Sequence, residues 1–452
     1  MAISGYTEQR FGEKVASVVN PATPIRSIEH LKGRDEQLRE IERALFQNGR
    51  HIFVFGDRGV GKSSLAATAA YQYQSSDGEP IFVSGSPDES FRSIIANIAI
   101  QALRRSKFEH RRTNESRSIR FRGVEWTAEH EVSTADLCDQ IRTIGDATEL
   151  LKQVSLKHSI RPAVILDEFD TIPNAEERAK FTALLKQLAD QTVNIRFFIT
   201  GIGQSCRELL GASRSAIRQL ATIELSRLGF EGRREIVQDA ADAFELGLDD
   251  NVNWRIALIS DGFPYYVHLL TEKMLWAAFD AEKEVRALGW PEFSAGLRTA
   301  VQETNAELQR PYQKCVLGRE PKFEDVVWST ADSDELLLSI ENMYLAYKRI
   351  VSSRDPSREI DRNRYSDMLR KLRSPNYGSI LRSIAGRQGW YEYSEKMLRG
   401  YVRMQAEANG VLLTGERASP KQRMHIVNNR TGYRGPSIPE GVHLNSWPEM
   451  KK

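Results

Sequence analysis

From Asp35 the chain sets Leu38, Ile41, Ala44 and Leu45 on one helical face and keeps Arg39, Glu40, Glu42 and Arg43 mostly solvated, which predicts an amphipathic helix ending near Asn48-Gly49. An apolar run, Ile52 to Phe55, predicts a strand; a glycine-rich turn and a helix built on Leu65, Ala66, Ala69 and Ala70 follow it. The alternation continues with strands at 81–83, 163–166, 195–200 and 221–225 and helices at 90–105, 147–157 and 175–189. Short apolar strands alternating with helices imply a parallel sheet covered on both faces. Residues 1–30 hold Pro21 and Pro24 without sustained periodicity and read as an extended lead-in. Between Ser106 and Ser133 the pattern breaks into an insertion rich in Arg and His, with a hairpin around 120–131; a solvated loop and a nucleic-acid contact both fit it.

Beyond Leu225 the pattern turns purely helical, at 232–244, 252–260 and 265–278. In the C-terminal third, helices are predicted at 339–352 and 359–373. After Ser374-Pro375 come a short third helix at 377–385 and two strands at 390–394 and 398–404. Three helices and a hairpin make a winged-helix plan. Past Gly410, prolines and glycines punctuate a tail. The expected organisation is a lead-in (1–30), an α/β core (31–226), a helical unit (227–305), a winged helix (306–410) and an extended tail (411–452).

Length agrees with several packed units, since 452 residues exceed what one core supports. With 40% hydrophobic and 27% charged residues, no apolar run long enough for a membrane span and no signal-peptide core in Met1 to Arg10, the expectation is a cytoplasmic globular protein. Cys138, Cys206 and Cys315 lack the spacing of a zinc site or disulfide framework. The net charge of +2 hides an asymmetry: residues 354–434 carry 17 Lys and Arg against 8 Asp and Glu.

Gly56-Asp57-Arg58-Gly59-Val60-Gly61-Lys62-Ser63 fits G-x-x-x-x-G-K-[ST] between a predicted strand and a predicted helix, the context of a Walker A loop. Its glycines let backbone N–H groups point at phosphates beside a helix N-terminus. Lys62 is expected to reach the β and γ phosphates of ATP, and the Ser63 hydroxyl to ligate Mg²⁺; Ser64 belongs to the same nucleotide-holding set. Val164-Ile165-Leu166-Asp167-Glu168 is an apolar strand ending in two acids, as a Walker B segment is. Asp167 is expected in the Mg²⁺ shell and Glu168 against the attacking water, although two acids after a strand also serve as a helix cap.

Leu31-Lys32-Gly33-Arg34-Asp35-Glu36-Gln37-Leu38 ahead of this loop and Leu166-Asp167-Glu168-Phe169-Asp170 after it resemble the AAA+ ATPases related to replication-origin initiators and to STAND-type signalling ATPases. The resemblance implies an AAA+ core, a helical lid, ATP bound between them, and homo-oligomers. It makes Gly33 and Arg34 nucleotide-pocket candidates and Thr200, at a strand end, a sensor of the γ phosphate. It also makes Arg218, or else Arg214, an arginine finger for a neighbouring subunit, against the plainer reading of a surface arginine. Where many relatives carry a sensor arginine, Gly262-Phe263-Pro264 stands instead; Pro264 either packs near the adenine or is an ordinary first-turn proline.

Arg370, Lys371 and Arg373 on the second C-terminal helix, Arg382 and Arg387 around the third, and Arg399 and Arg403 on the hairpin make a candidate phosphate-contacting face for double-stranded DNA. A solvated basic face on a protein-binding winged helix is the alternative. The function expected is an ATP-hydrolysing ATPase that oligomerises and binds or remodels DNA. A STAND-like sensor with protein partners, in anti-phage defence for instance, and a transposition-regulator ATPase remain open beside it.

Overall fold

The computed structural model describes residues 3, 5–105, 118–121, 124–127, 134–212 and 218–413. In chain order the N-terminal half runs α1 (Glu8–Val18), α2 (Asp35–Leu45), β1 (His51–Gly56), α3 (Lys62–Tyr73), β2 (Ile81–Ser84) and α4 (Phe91–Arg105). The antiparallel hairpin β3 (Ser118–Phe121) and β4 (Val124–Thr127) follows, then α5 (Thr134–Gln140), α6 (Ile144–His158), β5 (Ala163–Asp167), α7 (Ala175–Asp190), β6 (Arg196–Gly201), α8 (Gly203–Ala212) and β7 (Leu220–Leu225).

The five longer-range strands are parallel, in the order β2-β5-β6-β1-β7. Alternate side chains serve opposite faces. Phe53, Ile81, Val83, Phe197 and Ile199 pack with Ile94, Leu150 and Leu184 from α4, α6 and α7. Ile52, Val54, Ile165, Phe198 and Ile223 pack the other way, with Ile41 of α2 and Leu65 of α3. All carboxyl ends of a parallel sheet lie on one edge, and ligand sites of such sheets form there. Here that edge gathers Gly56, Asp167 and Gly201.

After β7 come α9 (Phe230–Ala243), α10 (Asp250–Ile259), α11 (Pro264–Phe279) and α12 (Trp290–Glu303), with a parallel bridge of β8 (Gly247–Leu248) and β9 (Ala287–Leu288). The lead-in is not extended throughout, because Phe11 and Val15, one helical turn apart, are buried. The Phe11 ring stacks on Phe279 at 4.4 Å and meets Trp276 edge-on at 5.0 Å. Two anchors leave too short a period to be seen in the sequence.

The C-terminal third runs α13 (Ala306–Val316), α14 (Lys322–Ala331), β10 (Leu338–Ser339), α15 (Ile340–Arg354), α16 (Arg362–Lys371), β11 (Leu381–Ser383), β12 (Trp390–Tyr393) and α17 (Met397–Ala408). The three strands form an antiparallel sheet in the order β10-β12-β11. Two expectations are corrected. The stretch 377–385 holds strand β11 instead of a helix: Gly378, at φ +73°, turns the chain where a Cβ would sit 2.3 Å from the Pro311 carbonyl oxygen. The stretch 398–404 is helix, not strand. Met397 to Met404 are all buried, Arg399 and Arg403 included, and the alternation of Leu398, Gly400, Val402 and Met404 around those arginines imitates a strand.

Arg399 and Arg403 therefore leave the proposed DNA face. Each is 1% exposed, and both reach back to Asp261, fully buried in the turn between α10 and α11. Arg399 donates from Nε to Oδ2 and from Nη2 to Oδ1, each at 2.7 Å; Arg403 Nη1 lies 3.1 Å and Arg227 Nη1 2.6 Å from Oδ1. Burial pushes the Asp261 carboxyl up, but Arg399, Arg403 and Arg227 outweigh it and hold its pKa at about 2.

Candidate functional site

The loop between β1 and α3 owes its shape to three glycines. A Cβ on Gly56 would stand 2.2 Å from the Leu225 carbonyl oxygen, and Gly59 and Gly61 have φ of +78° and +96°. Gly61 delivers the chain into α3, whose first residues are Lys62 and Ser63. Lys62 Nζ donates to the Asp57 carbonyl oxygen at 2.8 Å. Its pKa is lowered by burial, while Asp170, Asp167, Asp57 and Glu168 pull the other way. Arg34, 4% exposed, braces the loop while lining the same cavity as Lys62: Nη2 donates to the carbonyls of Val60 and Ser226, each at 2.9 Å. Burial lowers its pKa to about 10, which still leaves it charged at neutral pH.

Across from Lys62, Ser63 Oγ donates to Asp167 Oδ1 at 2.8 Å. The buried Thr200 hydroxyl at the end of β6 also donates to Asp167 Oδ1 and accepts the Glu168 backbone N–H at 3.1 Å. Glu168 adopts φ +51°, a conformation that costs energy outside glycine and turns its side chain off the strand. Gly85 makes room for that turn, since a Cβ there would meet the Glu168 carbonyl oxygen at 2.5 Å. These groups line a cavity of about 800 Å³. Arg58 to Ser64, Asp167, Glu168 and Thr200 form its polar end, and Leu31, Leu228, Ile236 and Pro264 contribute apolar wall.

The sequence matches the family model described as AAA ATPase domain over residues 30–199. The chain carries an AAA ATPase domain. Solved structures with a similar fold include the Walker-type ATPase PABY2304 of Pyrococcus abyssi, 14% identical, covering 84% of this chain and 99% of that one at a TM-score of 0.48. Cdc6p of Pyrobaculum aerophilum is 16% identical, with 87% and 98% covered and a TM-score of 0.42. The Aeropyrum pernix Orc1 protein in complex with DNA is 14% identical, with 84% and 93% covered and a TM-score of 0.41. No curated protein matches the sequence.

Within and beside the AAA domain the remaining candidates separate. Pro264, first residue of α11, abuts the loop: its Cγ lies 3.8 Å from where a Gly61 Cβ would be. Ser64 Oγ accepts the Ile25 N–H at 3.1 Å, which ties residues 20–25, themselves part of the cavity lining, to the start of α3. Gly33 does not line the cavity; it allows backbone contact with Gly232 of α9, whose Cα would lie 3.2 Å from a Gly33 Cβ. Arg218 is exposed at the start of β7, about 20 Å along that strand from the loop edge, too far to serve its own pocket. Arg214 lies outside the described residues.

Of the basic C-terminal candidates, Arg370, Lys371, Arg373, Arg382 and Arg387 are exposed. Arg370 pairs with Asp367, and Arg382 Nε lies 2.9 Å from Glu392. The sequence did not point to the contact between the C-terminal third and the AAA domain. Lys396 Nζ lies 2.8 Å from both carboxylate oxygens of Asp57, Arg58 pairs with Glu307 at 2.9 Å, and Met397 Sδ would meet a Gly59 Cβ at 2.4 Å. Asp57, at a variable position of the loop motif, thus faces α17 instead of a nucleotide. Among the described residues no helix is long and apolar enough to cross a membrane.

Proposed function

We propose that this protein binds and hydrolyses ATP, assembles into homo-oligomers, and binds double-stranded DNA through its C-terminal third. The observation that carries the ATPase reading is the cluster of Lys62, Ser63, Asp167, Glu168 and Thr200 in one cavity. The loop N–H groups and Lys62 hold the phosphates. Ser63 and Asp167 offer the oxygen donors that suit Mg²⁺, which when bound would offset phosphate charge. Thr200 fixes Asp167 and the Glu168 backbone, so the Glu168 carboxylate is free to orient and polarise a water in line with the γ phosphate. Arg218, which the family resemblance offers as an arginine finger, is proposed to complete a neighbour's site, which is why assembly is part of the reading.

Glu168→Gln is expected to keep ATP affinity while turnover falls by about 100-fold or more, the usual contribution of a positioned general base. Phosphate release and equilibrium binding measured on one preparation check this; unchanged turnover would remove Glu168 from the role.

The helix and strand order α14-β10-α15-α16-β11-β12, with sheet order β10-β12-β11, supports a winged helix at 322–393. In that plan α16 is the recognition helix and β11-β12 the wing. Arg370, Lys371 and Arg373 at the end of α16 and Arg382 and Arg387 on the wing are the phosphate contacts proposed. Reversing Arg370, Lys371 and Arg387 to glutamate is expected to weaken duplex binding at all sequences and to reduce the slope of log affinity against log salt by about three. Fluorescence anisotropy at several salt concentrations reads both. Duplex affinity indifferent to salt and to the reversals would instead assign this surface to a protein partner.

A further inference from the structure

Among the polar side chains that line the cavity and take no part in the phosphate chemistry, His268 stands out. It is 4% exposed, and neither Nδ1 nor Nε2 has a hydrogen-bond partner among the described residues. An imidazole buried without partners is costly, so native structures rarely leave both nitrogens unpaired without a role for them. Its position is fixed by α11. Pro264 begins that helix against Gly61 of the phosphate loop, and His268 follows four residues later, on the same face and about 6 Å further from the loop. Leu31, Leu228 and Ile236 share that cavity wall. Apolar walls of this kind suit an uncharged group better than a phosphate.

The imidazole is also neutral. Burial lowers its pKa to about 4, and the nearby His30 acts in the same direction. At neutral pH one ring nitrogen therefore presents a lone pair and the other a hydrogen, a pairing suited to an uncharged polar partner.

We infer that His268 is a specificity-determining residue that reads the nucleobase, with one ring nitrogen accepting a hydrogen bond from the 6-amino group of adenine. The inference rests on the ATP reading above and adds which base edge the pocket recognises. Lys62 and the loop N–H groups hold the triphosphate; Pro264, Leu228 and Ile236 sandwich the purine; His268 closes the far end of the slot.

The test is calorimetric titration of the full chain with three magnesium-loaded ligands: ATP, purine riboside triphosphate, which lacks only the 6-amino group, and inorganic tripolyphosphate. Wild type is expected to prefer ATP over purine riboside triphosphate by about tenfold, the worth of one buried hydrogen bond. His268→Leu is expected to erase that preference while leaving the other two affinities within about twofold, and its thermal midpoint without ligand should not fall, because an unpaired polar group has been removed. His268→Gln, which restores an acceptor, is expected to recover part of the preference. An equal loss for all three ligands, or a preference that survives in both variants, overturns the assignment of the base to His268. If wild type binds none of the three, the pocket reading itself fails and the inference falls with it.

Discussion

Lys62→Ala is expected to abolish measurable ATP binding. The ammonium is set to reach two phosphate groups, and hydrogen bonds to charged partners contribute about 1.5–3 kcal/mol each. Losing two of them lowers affinity by about 100-fold or more, enough to carry a micromolar site out of range of ordinary titration. The geometry makes this a local effect, because among the described residues Lys62 bonds only to the carbonyl of Asp57 in its own loop and its charge is already disfavoured by burial. Calorimetry with MgATP on variant and wild type, each checked for an unchanged far-ultraviolet spectrum, reads the result. Retained affinity would mean that the triphosphate is held elsewhere.

The second large effect concerns stability. Asp261→Ala strips the counter-charge from Arg399 and Arg403, both 1% exposed, and from Arg227. Breaking a buried pair by removing one partner costs about 3–5 kcal/mol, because the other charge stays buried. The thermal midpoint is expected to fall by several degrees. Asp261→Asn keeps the shape and loses the charge, so it should cost nearly as much. The same group predicts an acid response. Its folded pKa, about 2, lies below the ordinary aspartate value, so its contribution is complete above about pH 4 and is lost as pH falls toward 2. Denaturant midpoints at pH 5 and pH 3 test the sign: wild type should lose more stability between them than Asp261→Asn does.

Much of the phosphate end was legible in the sequence, because the chemistry there is written in consecutive residues. Gly56 to Ser63 caps the apolar strand β1, Asp167 ends the apolar strand β5 just ahead of Glu168, and the parallel sheet brings those ends to one edge. At the base end the sequence pointed to Pro264 alone. Leu31 and Leu228 lie in connecting segments, Ile236 on α9 and Pro264 and His268 on α11, and an isolated histidine in an apolar helix looks like core until its neighbours are known. The two misread segments share another cause. Met397 to Met404 is buried throughout, charged residues included, so its arginines read as surface, and 377–385 is governed by a left-handed glycine packed against Pro311. Arg399 and Arg403 went with that error: a basic pair in a basic region reads as surface until a buried acid some 140 positions upstream is found facing it.

Helix α17 ties together what a linear map would cut apart. At its start Lys396 and Met397 rest on the phosphate loop, and Arg399 and Arg403 neutralise the buried acid between α10 and α11. A truncation that ends before residue 396, designed to isolate a minimal ATPase, would therefore strand Asp261 among fewer cations and bare one side of the nucleotide loop. Failure of such a fragment to turn over ATP would speak to lost scaffolding and not to absent chemistry, so dissection of this protein is better done by point substitution in the whole chain.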